Sequence, residues 1–226
     1  MNKETYSLLE SYMLSCMKDS AHDKDHIYRV LSYALEIADT ENNVDDDVLI
    51  AACLLHDIGR KEQFENPQLC HAILGGEKAC AFLREHGFDE VFVLRVKRCI
   101  QQHRYRKNNP PDSLEAKILF DADKLDVTGA MGIARSLVYK GIVEEPLYIR
   151  KTDGSVSDGT EADEISFLQE YKFKLEKLYD RFYTEKGAEL ARARQAAAVS
   201  FYNSLFAEAS AAHRKGQASL TERGLL

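Results

Sequence analysis

Val48–Arg60, VLIAACLLHDIGR, is the stretch that decides how the chain folds. Eight apolar residues from Val48 to Leu55 make a segment that must lie inside a fold, yet it delivers His56 and Asp57 side by side at its end. Gly59 then reads as the residue just past a helix C-terminus. Asp57 therefore sits next to the partial negative charge of a helix end, and an ionised carboxylate buried there needs a cation. Arg60 and Lys61 could supply it as ordinary ion-pair partners, or a metal ion could.

Composition narrows the choice. The chain has 226 residues, 45% of them hydrophobic, enough for a well-buried domain. No apolar run approaches the ~20 residues of a membrane span, and the start MNKETYSLLE lacks a secretory layout; a soluble, cytoplasmic protein with no membrane partner is expected. Cys16, Cys53, Cys70, Cys80 and Cys99 form no CxxC and read as small core residues. A net charge of −7 leaves no basic footprint for a nucleic acid polymer, so an anionic substrate must be met by a local positive cluster.

Helical periodicity runs outward from the opening stretch in both directions. It predicts helices over about 3–18, 20–40, 71–85, 89–102 and 113–125, then one running from beyond Gly132 to about Lys140. Ser20 and Asp23 resemble a capping box at the start of the second. The span 141–163, rich in Gly, Ser, Thr and Asp, reads as a loop or lid. Ile165 to Phe182 restores a helical stripe, the alanine-rich 188–212 forms its hairpin partner, and 213–226 reads as a frayed tail. The expected architecture is all-α: a core over 1–140 and a C-terminal helical hairpin over 164–212 packed on it or on a second copy in a homodimer.

Histidines and aspartates fall on different helices of this scheme, which is how bundles build metal sites. In order they are His26, His56-Asp57, His71, His103 and the run Asp121-Ala122-Asp123-Lys124-Leu125-Asp126. Periodicity alone does not choose among Asp121, Asp123 and Asp126, and His22 with His26, four apart on one face, forms a rival pair.

HDKDHIYRV from His22, LLHDIGR from Leu54 and DADKLD from Asp121 together resemble the HD-domain metal-dependent phosphohydrolases, over roughly residues 20–140. The chain looks most similar to the small stand-alone bacterial members predicted to hydrolyse nucleotide phosphates. That resemblance implies His26, His56, Asp57 and Asp123 as ligands of a divalent ion, with Asp57 also in the catalytic set. It implies Asp126 either behind the ligands or as a proton acceptor. A mixed nitrogen and oxygen set suits Mn, Co, Fe, Mg or Ni in place of a thiolate-bound zinc. Such an ion polarises a phosphoryl oxygen and lowers the pKa of a water.

Arg60, Lys61, Lys124, Arg104, Arg106 and Lys107 are the basic residues available to a small phosphorylated substrate such as a nucleotide. His71 opens HAILGG, similar to a segment of the cyclic dinucleotide phosphodiesterase branch in which extra histidines hold a second metal; without that branch's Gly-Tyr-Pro signature, His71 and His103 are assigned to phosphate. A two-metal cyclic nucleotide phosphodiesterase, a di-iron oxygenase and a non-catalytic metal- or nucleotide-binding bundle remain the alternative readings, because one fold hosts several chemistries.

Overall fold

Short polar residues start the helices. In the computed structural model, which describes residues 1–17, 24–104, 108–161, 163 and 165–225, the side chains of Asn2, Asp45, Asp89 and Ser113 each accept a backbone N–H of the first turn they precede. They open α1 (Lys3–Cys16), α3 (Asp46–Leu55), α6 (Glu90–Gln102) and α7 (Leu114–Leu125). Between them lie α2 (Lys24–Ala38), α4 (Arg60–Glu65) and α5 (His71–Glu85). The Ser20–Asp23 capping box and His22 fall outside the described residues.

The chain divides into two compact units, Met1–Asp126 with Phe182–Gly187, and Val127–Arg181 with Ala188–Leu226. At the centre of the first stands α3, packed against α1, α2, α5, α6 and α7. Its side chains from Val48 to Leu55 are fully buried, Ile50 excepted. Each buried leucine there contributes roughly 1.5–3 kcal/mol of transfer free energy, which is why the helix tolerates a polar load at its end.

Gly59 departs from expectation. It is not the left-handed residue closing α3 but the residue before α4, with φ −97°. Glycine is needed there for space: a Cβ would lie 2.6 Å from the carbonyl oxygen of His71 and 2.8 Å from the amide nitrogen of Gly75. This backbone approach brings the start of α5 against the His56–Asp57 turn.

Within the second unit, α8 (Gly129–Ile142) begins at Gly129 itself, in the left-handed region at φ +60°. The described residues of 143–166 form no helix and carry an isolated bridge between Arg150 and Val156, the only β pairing among the described residues. The stripe expected over 165–182 is broken into α9 (Phe167–Phe173) and a 3-10 turn (Leu175–Lys177), because Lys174 leaves helical geometry at φ −123°. The final helix, α10 (Glu185–Glu222), runs through most of the expected tail. Tyr202 of α10 stacks on Tyr171 with centroids 4.4 Å apart and donates to the carbonyl of Asp158 at 2.6 Å. No helix among the described residues is long and apolar enough to cross a membrane.

Candidate metal centre

Five helices of the first unit, α2, α3, α5, α6 and α7, bring histidine and aspartate together at the end of α3. His56 caps that helix and Asp57 follows in the turn. His26 comes from α2, Asp123 from α7, His71 opens α5, and His103 follows α6. All six are buried, Asp123 the most open at 8%.

The inward atoms form two groups that share one carboxylate. In the first, His26 Nε2 lies 3.3 Å from His56 Nε2, 3.4 Å from Asp123 Oδ1 and 3.6 Å from Asp57 Oδ2, while His56 Nε2 lies 3.7 Å from that same oxygen. In the second, His71 Nε2 and His103 Nε2 are 3.2 Å apart and stand 3.4 and 3.6 Å from Asp57 Oδ1. Metal–ligand bonds of about 2.1 Å place neighbouring donors of one coordination shell about 3.0–3.5 Å apart, close to these spacings. Each group could hold a metal ion.

Hydrogen bonding on the far side of each ring tests that fit. His26 Nδ1 donates to Asp126 at 2.7 Å, His56 Nδ1 to the Cys53 carbonyl at 2.8 Å, His103 Nδ1 to the Ile100 carbonyl at 2.6 Å, and His71 Nδ1 to the Gln63 amide oxygen. None of these acceptors can donate, so every Nδ1 carries a hydrogen, and each ring turns an Nε2 lone pair inward whenever it is neutral. Four lone pairs and two carboxylates converging away from water are mutually repulsive without positive charge. Arg60 and Lys124 each engage one oxygen of these carboxylates, a cation would gather the remaining inward donors, and neutral imidazoles backed by acceptors are how metal-ligating histidines are held.

The electrostatics agree. Burial alone would raise the Asp57 carboxyl, but Arg60, then His56 and His71, hold it well below the usual range. Burial likewise opposes ionisation of Asp123, and Lys124 with His26 overcomes it. Burial lowers His56; it takes His71 down to about 2, opposed by Asp57 and reinforced by Arg60, and His103 to about 3 with help from His56. His26 alone is raised: burial would lower it, yet its hydrogen bonds to Asp123 and Asp126 prevail. A divalent ion held at its Nε2 would take the place of that proton.

The remaining sequence candidates divide. Arg60 Nε does pair with Asp57, at 2.9 Å, but on Oδ1 only, which leaves Oδ2 to the histidines. Lys124 Nζ pairs with Asp123 Oδ2 at 2.6 Å. Arg104 reaches Cys70 Sγ at 3.7 Å, and Lys61 is half-buried on α4. Arg106 and Lys107 fall outside the described residues. Asp121 points to another region altogether: its carboxylate accepts from the Tyr183 amide and from the amide and hydroxyl of Thr184.

Asp126 is fully buried, and besides His26 it binds Arg29, through Nε at 2.6 Å and Nη2 at 3.1 Å. Sequence reasoning missed Arg29, although its place three residues after His26 is a readable signal. Gln63 was also missed, and nothing in the sequence marks it out.

Comparisons with known proteins converge on one group. The HD domain family model matches residues 24–128. A predicted HD superfamily hydrolase from an uncultured Thermotogales bacterium is 30% identical over 88% of this chain and 90% of its own, with a TM-score of 0.59. YpgQ of Bacillus subtilis, an uncharacterised protein, is 27% identical over 87% of this chain and 90% of its own length. Its crystal structure in complex with ADP superposes with a TM-score of 0.69, covering 90% of this chain and 97% of that one at 26% identity.

Proposed function

The chain belongs to the HD-domain superfamily and has the fold of its hydrolases, and from that premise we propose that it is a metal-dependent phosphohydrolase acting on a nucleotide or a similar small phosphate ester or anhydride. The observation that carries the proposal is the Asp57 carboxylate, each of whose oxygens faces its own set of inward lone pairs. A divalent ion held by His26, His56, Asp57 and Asp123 supplies Lewis acidity for a phosphoryl oxygen and acidifies a water.

Protein groups do the rest. Asp126 fixes the His26 ring from behind; with both oxygens engaged and no exposure, it orients that ring and does not serve as proton acceptor. The Cys53 and Ile100 carbonyls hold His56 and His103. The side chains of Arg60 and Lys124, 29% and 18% exposed, provide positive charge at the solvent edge for phosphate oxygens. His71 and His103 present lone pairs inward and so accept where a phosphate needs donors. Their geometry favours a second cation over the phosphate contact expected from sequence. The nucleotide assignment is supported by the ADP complex of YpgQ.

A panel of nucleoside mono-, di- and triphosphates and cyclic nucleotides, incubated with Mn²⁺, Co²⁺ or Mg²⁺ and resolved for phosphate and pyrophosphate, tests the reading. Release from at least one substrate, abolished by a chelator and restored by metal, is expected. Nucleotide binding with no turnover under every metal would reject it.

A further inference from the structure

The two ligand groups are not backed alike. Behind His26 stands the Asp126 carboxylate, itself held by two Arg29 nitrogens. Behind His71 stands the amide of Gln63, a half-buried residue of the six-residue α4. Gln63 Nε2 donates to the Leu69 carbonyl at 2.8 Å, which fixes the amide with its oxygen toward His71 Nδ1. One residue thus ties the loop before α5 to the ring that opens α5.

A carboxylate behind an imidazole raises its basicity and locks its orientation more strongly than a neutral amide oxygen does. The donors differ as well. His26, His56 and Asp123 on one side and Asp57, His71 and His103 on the other each bring one carboxylate and two imidazoles, and Asp57 Oδ2, 3.6 and 3.7 Å from His26 and His56 Nε2, adds a second carboxylate oxygen to the first. The oxygen left to the second, Asp57 Oδ1, already accepts from Arg60 at 2.9 Å, so a cation at the second position shares its only anionic donor with a guanidinium.

Resting on the metal-centre reading above, we propose that Gln63 is the positioning residue of the Asp57–His71–His103 group, and that its amide makes this the weaker of two metal positions, filled after the His26–His56–Asp57–Asp123 position. The protein then responds to metal supply in two stages, with Gln63 setting where the second begins.

Titration of the metal-free protein with Mn²⁺ by calorimetry, with bound metal counted by elemental analysis, tests this. Wild type should show two steps at least ~10-fold apart in affinity. Gln63→Glu places a carboxylate behind His71 and should tighten the weaker step about 10-fold; Gln63→Ala should weaken it by a similar factor or remove it. The tighter step should stay put in both variants, while the melting temperature of the metal-free protein should fall in Gln63→Ala, which leaves His71 Nδ1–H unpaired. A merely structural role for Gln63 would not send the weaker constant in opposite directions in the two variants. Two steps insensitive to both substitutions, a uniform shift of both steps, or a single step would overturn the inference while leaving the metal centre intact. Absence of any Mn²⁺ binding in wild type would overturn the metal-centre reading with it.

Discussion

Two helical stretches of this chain share backbone geometry and little else. From Val48 to Gly59 every residue but Ile50 is buried, and the polar side chains among them have named partners at measured distances. From Asn203 to Gln217 in α10 no residue is buried. The first stretch is held by its surroundings, and its residue types are dictated atom by atom. The second is half-buried at most, with His213 meeting the Tyr148 hydroxyl at 3.2 Å, so its residue types are less tightly dictated. Substitutions should therefore have effects that fall from one stretch to the other, and the expected order can be broken by experiment.

The largest effect belongs to Asp57→Ala. It removes the carboxylate whose two oxygens lie 3.4–3.7 Å from the four inward histidine nitrogens and should abolish turnover and lower Mn²⁺ affinity by more than the ~10–100-fold typical of residues that only support a ligand. Elemental analysis of the purified variant alongside a phosphate-release assay checks both. Retained metal with retained turnover would remove the buried turn from the chemistry altogether.

Gly59→Ala comes next. The added Cβ meets backbone atoms of His71 and Gly75, which cannot rotate away. Overpacking costs about 1–3 kcal/mol, and the upper end is expected here, read as a lowered urea midpoint. Because the displaced atoms open α5, Mn²⁺ affinity at the group containing His71 should fall too.

Asp121→Asn separates burial from metal chemistry on one helix. Asp121 shares α7 with Asp123, yet its carboxylate serves the amides of Tyr183 and Thr184. The asparagine amide cannot satisfy all those donors, and a buried donor left unpaired costs about 1–2 kcal/mol. Stability should drop while Mn²⁺ stoichiometry stays at the wild-type value. A changed stoichiometry would show that the two faces of α7 are coupled.

How much of this was legible beforehand follows the same division. The buried segment from Val48, and the helices over 71–85 and 89–102, announce themselves because burial imposes a period and Asp89 caps the turn after it. Periodicity could not rank Asp121, Asp123 and Asp126, and only the family resemblance selected Asp123, since what separates Asp123 from Asp121 is the partner each meets, and those partners lie 97 and 62 positions away in sequence, at His26 and Tyr183. Gly59 was readable as special but not for the right reason: space and positive φ leave the same residue. Gln63 gave no signal because an amide on a six-residue helix resembles any solvated side chain. The run of α10 past Ala212 was missed since an exposed helix has no apolar stripe to betray it.

Gly216 makes the smallest and most telling case. It lies inside α10, and a Cβ built there meets nothing within 4 Å. Alanine at that place removes the backbone freedom that glycine has in the unfolded chain and should stabilise α10 by up to ~1 kcal/mol. The same replacement is thus expected to destabilise at position 59 and to stabilise at position 216, because the added methylene finds a carbonyl in one stretch and solvent in the other. Urea denaturation of both variants beside wild type reads the two signs directly. A loss of stability at Gly216 would mean that this part of α10 is pressed against something in solution, and that its residue types are constrained after all.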